Sequence, residues 1–243
     1  MRSNQVINRC TAPSLFSSVM REVYNLAFRA SRVDFPVLIH GESGVGKEVL
    51  ARYIHANSRR SSTGSFVALN CATIQDSLAE SELFGHARGA FTGADSAKAG
   101  LLDLADSGTL FLDEITEMSA AVQSKLLRTV ETKEFLPVGS TALKRSDFRL
   151  ICATNADLKK LMEDGLLRAD LYFRLSAITI EIPPLRQRIE EIPRLAECFL
   201  DEMTHAKIEI SADAMELLLC YPWPGNVREL KNVIEFSVNR QQY

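Results

Sequence analysis

The octapeptide Gly41-Glu42-Ser43-Gly44-Val45-Gly46-Lys47-Glu48 carries the plainest chemistry in the sequence. Its glycines allow backbone N–H groups to converge on phosphate oxygens. The stretch follows the apolar run Val37-Leu38-Ile39 and opens an amphipathic segment. It therefore joins a strand to a helix N-terminus, whose dipole favours anions. Lys47 adds a charge suited to β- and γ-phosphates. The Ser or Thr that usually follows the lysine as a Mg2+ ligand is absent, and Glu48 stands there instead. From these residues alone, a glycine-rich turn without a ligand stays open as an alternative.

A second group complements it. The apolar run Leu110-Phe111-Leu112 ends in Asp113 and Glu114. Asp113 is suited to holding Mg2+ through water, and Glu114 to polarising an attacking water as a general base. The pair alone could also be a solvated acidic turn. Asn70 follows Phe66-Val67-Ala68-Leu69, and Thr154-Asn155 follow Leu150-Ile151-Cys152-Ala153. Ligands of open parallel sheets sit at the carboxyl ends of the strands, so these polar residues could orient water or sense a terminal phosphate. Each could equally cap a helix.

The elements that must position these groups are visible as a pattern. Short apolar runs near 37–39, 66–69, 109–112, 150–153 and 178–180 alternate with helical periodicity. One helical stretch has Val49, Leu50, Tyr53 and Ile54 in step; another, from about Ala120 to Glu131, puts Val122, Leu126, Leu127 and Val130 on one face. Continuous apolar strands separated by helices imply a parallel sheet covered on both faces. After Pro183-Pro184 only helix signals remain, over Ile192–Phe199, Ala212–Cys220 and Val227–Val238. The expected division is an α/β part over 1–184 and a small helical part over 185–243. Asn57 to Ser65 reads as a polar loop.

Gly89-Ala90-Phe91-Thr92-Gly93-Ala94 lies between the two candidate groups. It is small, uncharged and flexible, with one aromatic. Such a stretch packs poorly into a core and suits a mobile loop presenting one apolar side chain.

Bulk composition bounds the rest. Of 243 residues, 46% are hydrophobic and 24% charged, which allows a sizeable core. A net charge of −3 argues against holding nucleic acid by bulk electrostatics. The cysteines Cys10, Cys71, Cys152, Cys198 and Cys220 are odd in number and form no C-x-x-C, so a reducing compartment without disulfides is expected. Cys152 and Cys220 sit in apolar runs and read as small hydrophobes. His40, His55, His86 and His205 are scattered, with no ligand spacing to a cysteine. No stretch approaches the ~18 apolar residues of a membrane helix. Met1 to Thr11 reads as neither leader nor anchor, and a cytoplasmic location without membrane contact is expected.

At this point the residues resemble a known family. The chain is similar, from about Val37 to Glu235, to the AAA+ ATPase domain of bacterial enhancer-binding proteins, the activators of sigma-54 RNA polymerase. The resemblance rests on G-E-S-G-V-G-K-E at 41–48, N-C-A-T-I at 70–74, E-S-E-L-F-G-H at 80–86, G-A-F-T-G-A at 89–94 and G-T-L-F-L-D-E-I at 108–115. It continues in A-T-N-A-D-L at 153–158, R-A-D-L-Y-F-R-L at 168–175, P-P-L-R-Q-R at 183–188 and W-P-G-N-V-R-E-L at 223–230.

The resemblance implies a three-layer α/β/α AAA+ domain with a parallel central sheet, a sigma-54-contacting loop inserted at about 85–95, and an all-helical lid. It implies ATP and Mg2+ as cofactors, with residues 41–48 around the phosphates and Asp113 and Glu114 as the Mg2+ and water residues. Asn70 matches an asparagine that holds the catalytic glutamate in an inactive pose. Thr154 and Asn155 match a first sensor of nucleotide, and Arg228 a second one on the lid. Arg168 and Arg174 match arginines donated to the neighbouring subunit's ATP; from the residues alone both could be surface ion pairs. Trp223 and Pro224 are expected to set lid packing rather than touch ligand. The implied partners are sigma-54 RNA polymerase holoenzyme, through Phe91 and Thr92, and further copies of the chain in a ring, usually a hexamer. DNA contact is expected only through a domain outside this chain. Another AAA+ remodelling ATPase, or a nucleotide-controlled interaction module, are the competing classes. The sequence departs from the family pattern at Val45, where Thr is usual, at Ala87-Arg88, at Leu136-Pro137 and at Ala169; none of these removes a catalytic group.

Overall fold

A computed structural model describes residues 17–203 and 208–240. Cys10, His205 and the reading of Met1 to Thr11 lie outside the described residues.

The strands are β1 (Val37–His40), β2 (Phe66–Asn70), β3 (Thr109–Asp113), β6 (Arg149–Thr154) and β7 (Ile178–Glu181), in the sheet order β2-β3-β6-β1-β7. β2 pairs parallel with β3, β3 with β6, and β6 with β1. Every residue of β6 is buried, as are the first four of β3 and the first three of β1, because these interior strands are covered on both faces. The edge strand β2 is only half covered. A separate two-stranded antiparallel ribbon joins β4 (Glu134–Phe135) and β5 (Lys144–Arg145).

The helices are α1 (Ser18–Ser31), α2 (Lys47–Ala56), α3 (Asp76–Phe84), α4 (Leu101–Leu104), α5 (Ala120–Thr132), α6 (Leu158–Glu163), α7 (Ala169–Leu175), α8 (Ile192–Met203), α9 (Ala212–Cys220) and α10 (Asn226–Arg240). α5 turns Val122, Leu126 and Val130 inward, with Leu127 at the margin, as its periodicity predicts. In α2, Leu50 and Ile54 are buried but Val49 is exposed, so its apolar stripe is narrower than the sequence suggests. The expected polar loop at 57–65 contains a single 3-10 turn, Arg59–Ser61.

The described residues form two compact units. One contains residues 27–40 and 48–180; the other contains the residues up to 26, the stretch 41–47 and everything from 181 onward. The first is built on a core that includes Leu38, Phe84, Leu110, Leu112, Phe148 and Leu150. The helical part of the second packs Leu185, Ile192, Phe199, Trp223, Leu230 and Ile234 together. α9 contributes no buried residue, and Cys220 at its end is exposed, contrary to the expectation from its apolar run. The run is apolar, but its helix lies on the surface. Cys71, Cys152 and Cys198 are buried and free. No helix among the described residues is long and apolar enough to cross a membrane.

Candidate functional site

Residues 41–47 are held by the helical part of their own unit. Lys47 is buried, and its Nζ donates to the Gly41 carbonyl at 3.0 Å. Glu42 receives a two-pronged bond from Arg186, Nη1 to Oε2 at 2.9 Å and Nη2 to Oε1 at 2.7 Å. Asn226 Nδ2 donates to Glu42 Oε2 at 3.1 Å and to the Ser43 carbonyl at 3.0 Å. Arg186, and after it Asn226, hold the Glu42 carboxyl down at about 2. Arg228 reaches the loop twice: Nη1 donates to Ser43 Oγ at 2.9 Å, and its backbone N–H to the Gly44 carbonyl at 3.2 Å. Arg228 thus lies against the 41–48 loop. Trp223 is buried, and its Nε1 donates to the Leu218 carbonyl at 2.8 Å, which makes it a packing residue. Glu48 pairs with Arg52 one turn along α2.

The second group lies at the carboxyl end of the sheet, within the other unit. Asp113, the last residue of β3, accepts from the Glu114 N–H at 3.2 Å. Glu114 has a left-handed backbone, φ 51 and ψ 51, sparsely populated for a residue with a Cβ. Its Oε2 accepts from the Asn155 N–H at 3.1 Å. The structure thus joins Glu114 to the turn after β6. Thr154 is fully buried; its hydroxyl bonds that of Thr116 at 3.1 Å and accepts from the Ala156 N–H at 3.1 Å. That hydroxyl shapes the turn, and the exposed Asn155 is the accessible member of the pair. The Asn70 side chain accepts from the Ala72 N–H at 3.0 Å, a cap on its own turn and one of the two roles open to it from sequence. Next to it the Cys71 thiol is pushed up to about 12, first by burial and then by Asp113 and Glu114. It is a neutral neighbour of the carboxylates.

The sigma-54 interaction domain family matches residues 15–181, and the AAA+ ATPase lid domain family matches 186–242. This chain belongs to the sigma-54 interaction domain family. It is 48% identical over 224 residues to the Nif-specific regulatory protein of Herbaspirillum seropedicae, covering 90% of this chain and 41% of that protein. It is 44% identical over 221 residues to the DNA-binding transcriptional regulator NtrC of Rhizobium meliloti, covering 90% of this chain and 46% of NtrC. The chain spans about half the length of the curated relatives it matches. Among solved structures, NtrX from Brucella abortus in complex with ADP superposes with a TM-score of 0.84 at 36% identity, over 90% of this chain and 48% of that one. NtrX in complex with ATP gives 0.82 at 37%, again over 90% of this chain and 48% of that one. The AAA+ architecture with a parallel sheet and a helical C-terminal lid is the fold of this sigma-54 interaction domain.

The family's loop is tied at its base and bent at its tip. His86 exchanges both backbone hydrogen bonds with Lys98 at 3.0 Å, and the Ala87 N–H donates to the Val138 carbonyl at 2.9 Å. Gly85 and Gly100 approach so closely that a Cβ on Gly100 would stand 2.3 Å from the Gly85 nitrogen. Within the tip, the Gly89 N–H donates to the Ala94 carbonyl at 2.8 Å and the Ala94 N–H to the Phe91 carbonyl at 3.0 Å. Ala94 is buried and Ala90 half-buried, while Phe91 and Thr92 are exposed. The Phe91 ring meets that of His86 edge-on, 5.0 Å between centroids. The stretch is therefore more structured than its composition suggests.

In this sigma-54 interaction domain, Arg168 and Arg174 are both exposed on or beside α7. Arg168 pairs with Asp170 at 2.7 Å. Sequence reasoning missed Arg186, Arg188, Asn226, His40 and Thr116. Asn226 is fully buried at φ 53, and His40 Nε2 bonds the Ala156 carbonyl at 3.2 Å, tying β1 to the turn that holds Glu114. P-P-L-R-Q-R and P-G-N-V-R-E were visible as motifs. Which loop their side chains serve was not.

Proposed function

We propose that this chain is an ATP-hydrolysing ring subunit that remodels sigma-54 RNA polymerase holoenzyme to activate transcription. Residues 1–184 supply the nucleotide-binding part and 185–243 the lid. Glycine N–H groups of 41–46, Lys47 and the N-terminus of α2 bind the phosphates. Asp113 puts carboxylate oxygens at the end of β3, the hard donors that hold Mg2+ through water. Mg2+, when bound, supplies charge neutralisation at the phosphates. Glu114 accepts a proton from the attacking water, and Asn155 senses the terminal phosphate beside it. Arg168 and Arg174 act on the nucleotide of the neighbouring copy, which requires Arg168 to leave Asp170. Arg228 couples the lid to the phosphate loop, and Phe91 and Thr92 engage sigma-54.

The observation that carries this reading is the Glu114 carboxylate. It is presented from a strained left-handed backbone and anchored to the Asn155 N–H. Backbone strain of this kind, on the order of 1–3 kcal/mol, persists where surrounding structure holds a working group in place. Relatives that are transcriptional regulators, and neighbours solved with ADP and ATP, support it.

Steady-state ATP hydrolysis, measured over a range of protein concentrations, tests it. The rate per subunit is expected to rise as copies assemble. Glu114→Gln is expected to lower the rate by on the order of 10²–10⁴ while nucleotide binding persists. A rate independent of concentration would remove the trans arginines, and no hydrolysis at any concentration would remove the enzyme.

A further inference from the structure

The peptide between Val45 and Gly46 is gripped from outside the phosphate loop. Arg188 Nη2 donates to the Val45 carbonyl at 2.9 Å. A trans peptide carries its C=O and N–H on opposite sides. Capture of the Val45 oxygen therefore aims the Gly46 N–H away from Arg188. On the Gly46 side of this peptide the chain is open: Gly46 has φ +105, and beyond its chain neighbours nothing described lies within 4 Å of where its Cβ would be.

Arg188 is itself held. Its Nη1 donates to Glu191 Oε2 at 3.0 Å, and the two side chains are only 4% and 3% exposed. The other carboxylate oxygen of Glu191 accepts from the Ser17 N–H at 2.9 Å and from the Ser17 hydroxyl at 2.6 Å. The Ser17 hydroxyl also accepts from the Met20 N–H at 3.1 Å, capping α1. An unbroken line of hydrogen bonds thus runs from the start of α1 through a buried ion pair to the phosphate loop. The Arg188 Nε is buried without a partner. A buried pair with an unsatisfied nitrogen is a poor source of stability, since desolvation offsets its Coulomb gain. Its geometry, by contrast, is well suited to fixing one peptide plane.

We infer that Arg188, held by Glu191 and Ser17, is a positioning residue that orients the Val45–Gly46 peptide for the β-phosphate of a bound nucleotide. The inference rests on the reading of 41–48 as a nucleotide site. It makes phosphate affinity depend on how the start of α1 is seated.

The test uses the full chain carrying Arg188→Met with Glu191→Leu. Both buried charges go together, a replacement that proteins often accept without loss of stability. Melting without nucleotide checks the fold. Affinities for ADP and AMP are then measured by displacement of a fluorescent ADP analogue. ADP affinity is expected to fall by on the order of tenfold, one charge-assisted hydrogen bond, while AMP affinity stays. A merely structural role would weaken both alike. A folded double variant with wild-type ADP affinity, or with equal losses for ADP and AMP, overturns the inference. Should the double variant not fold, Arg188→Lys carries the test. It keeps the charge beside Glu191 but lacks the fork that reaches two acceptors. Selective loss of ADP affinity supports the inference, and an unchanged ADP-to-AMP ratio overturns it. A wild-type chain that bound neither nucleotide would overturn the site reading, and this inference with it.

Discussion

A Cβ placed on Gly44 would stand 2.3 Å from the carbonyl oxygen of Gly225, so the 41–48 loop and the turn before α10 meet backbone to backbone. Two independent constraints act at Gly44. The space is closed, and φ is +80, a region costly for any residue with a Cβ. Gly44→Ala is expected to push the 225 turn off the loop and break the Arg228 N–H bond to the Gly44 carbonyl. Calorimetric titration with ADP should show affinity reduced by roughly 5- to 150-fold, given strain on the order of 1–3 kcal/mol. Wild-type affinity in this variant would mean that the contact is dispensable for nucleotide binding.

The Glu42 bonds to Arg186 and Asn226 respond to acid. The Glu42 carboxyl is held at about 2, below its usual 4.5, chiefly by the Arg186 bonds and then by Asn226. A depressed carboxyl stabilises the folded state fully above its unfolded value. That contribution is lost as the pH falls from about 4.5 toward the folded value. The difference in melting temperature between wild type and Glu42→Gln is therefore expected to be steady between about pH 6 and 8 and to shrink below about pH 4. The pair is well exposed, so the difference should be small and should decrease with salt. A difference that grows on acidification would assign the pair the wrong sign.

The legible parts of the chain were those whose signal is local. β1, β3 and β6 are covered on both faces, so each contains an unbroken apolar run, 37–39, 110–112 and 150–153. The 41–48 loop and Asp113-Glu114 carry their chemistry in adjacent residues. Long-range partners were not legible: nothing near Asn226 says that its amide serves Glu42 and Ser43, and nothing near His40 points to Ala156. α1 was not read, although Met20, Val23, Tyr24, Ala27 and Ala30 are buried at helical spacing. β4 and β5 are two residues each, too short to show alternation. α6 and α7 span barely two turns and show little period. Leu217 to Cys220 misled in the other direction, since the ends of this apolar run stay exposed and Leu218 and Leu219 are only half-buried.

Arg149 is expected to cost the sheet unit stability. It is buried at the start of β6, its Nη2 donates to the Ala30 carbonyl at 2.8 Å, and its Nε and Nη1 have no partner. Burial drives its pKa down to about 10, with Asp34 opposing and Arg60 adding to the fall. A base depressed in the folded state costs stability while it is charged, and that cost is relieved only as the pH rises past about 10. Arg149→Met keeps most of the apolar volume and removes the charge. Its stability in urea at pH 7 is expected to equal or exceed wild type, by roughly 0–3 kcal/mol. Clear destabilisation would mean that the bond to the Ala30 carbonyl, or a buried water on Nε and Nη1, outweighs the cost of burying the charge.

On the proposed function, a change at Phe91 is expected to separate nucleotide chemistry from its use. The loop base is held by backbone bonds among His86, Lys98, Ala87 and Val138, none of which involves the Phe91 ring. Truncating the ring removes its edge contact with His86 and an exposed apolar surface. Phe91→Ala should therefore melt within about 1 kcal/mol of wild type. Its ATP hydrolysis should also stay within roughly twofold, because the ring takes no part in the chemistry. An exposed aromatic at a loop tip is the kind of anchor whose loss costs most at an interface, on the order of 2 kcal/mol or more. Open-complex formation by sigma-54 holoenzyme, with the purified chain as activator, should accordingly be abolished. Normal activation by Phe91→Ala would place the sigma-54 contact elsewhere. Loss of hydrolysis together with activation would instead make Phe91 part of how the ATP site is assembled. The two assays on one variant therefore distinguish a contact residue from a structural one.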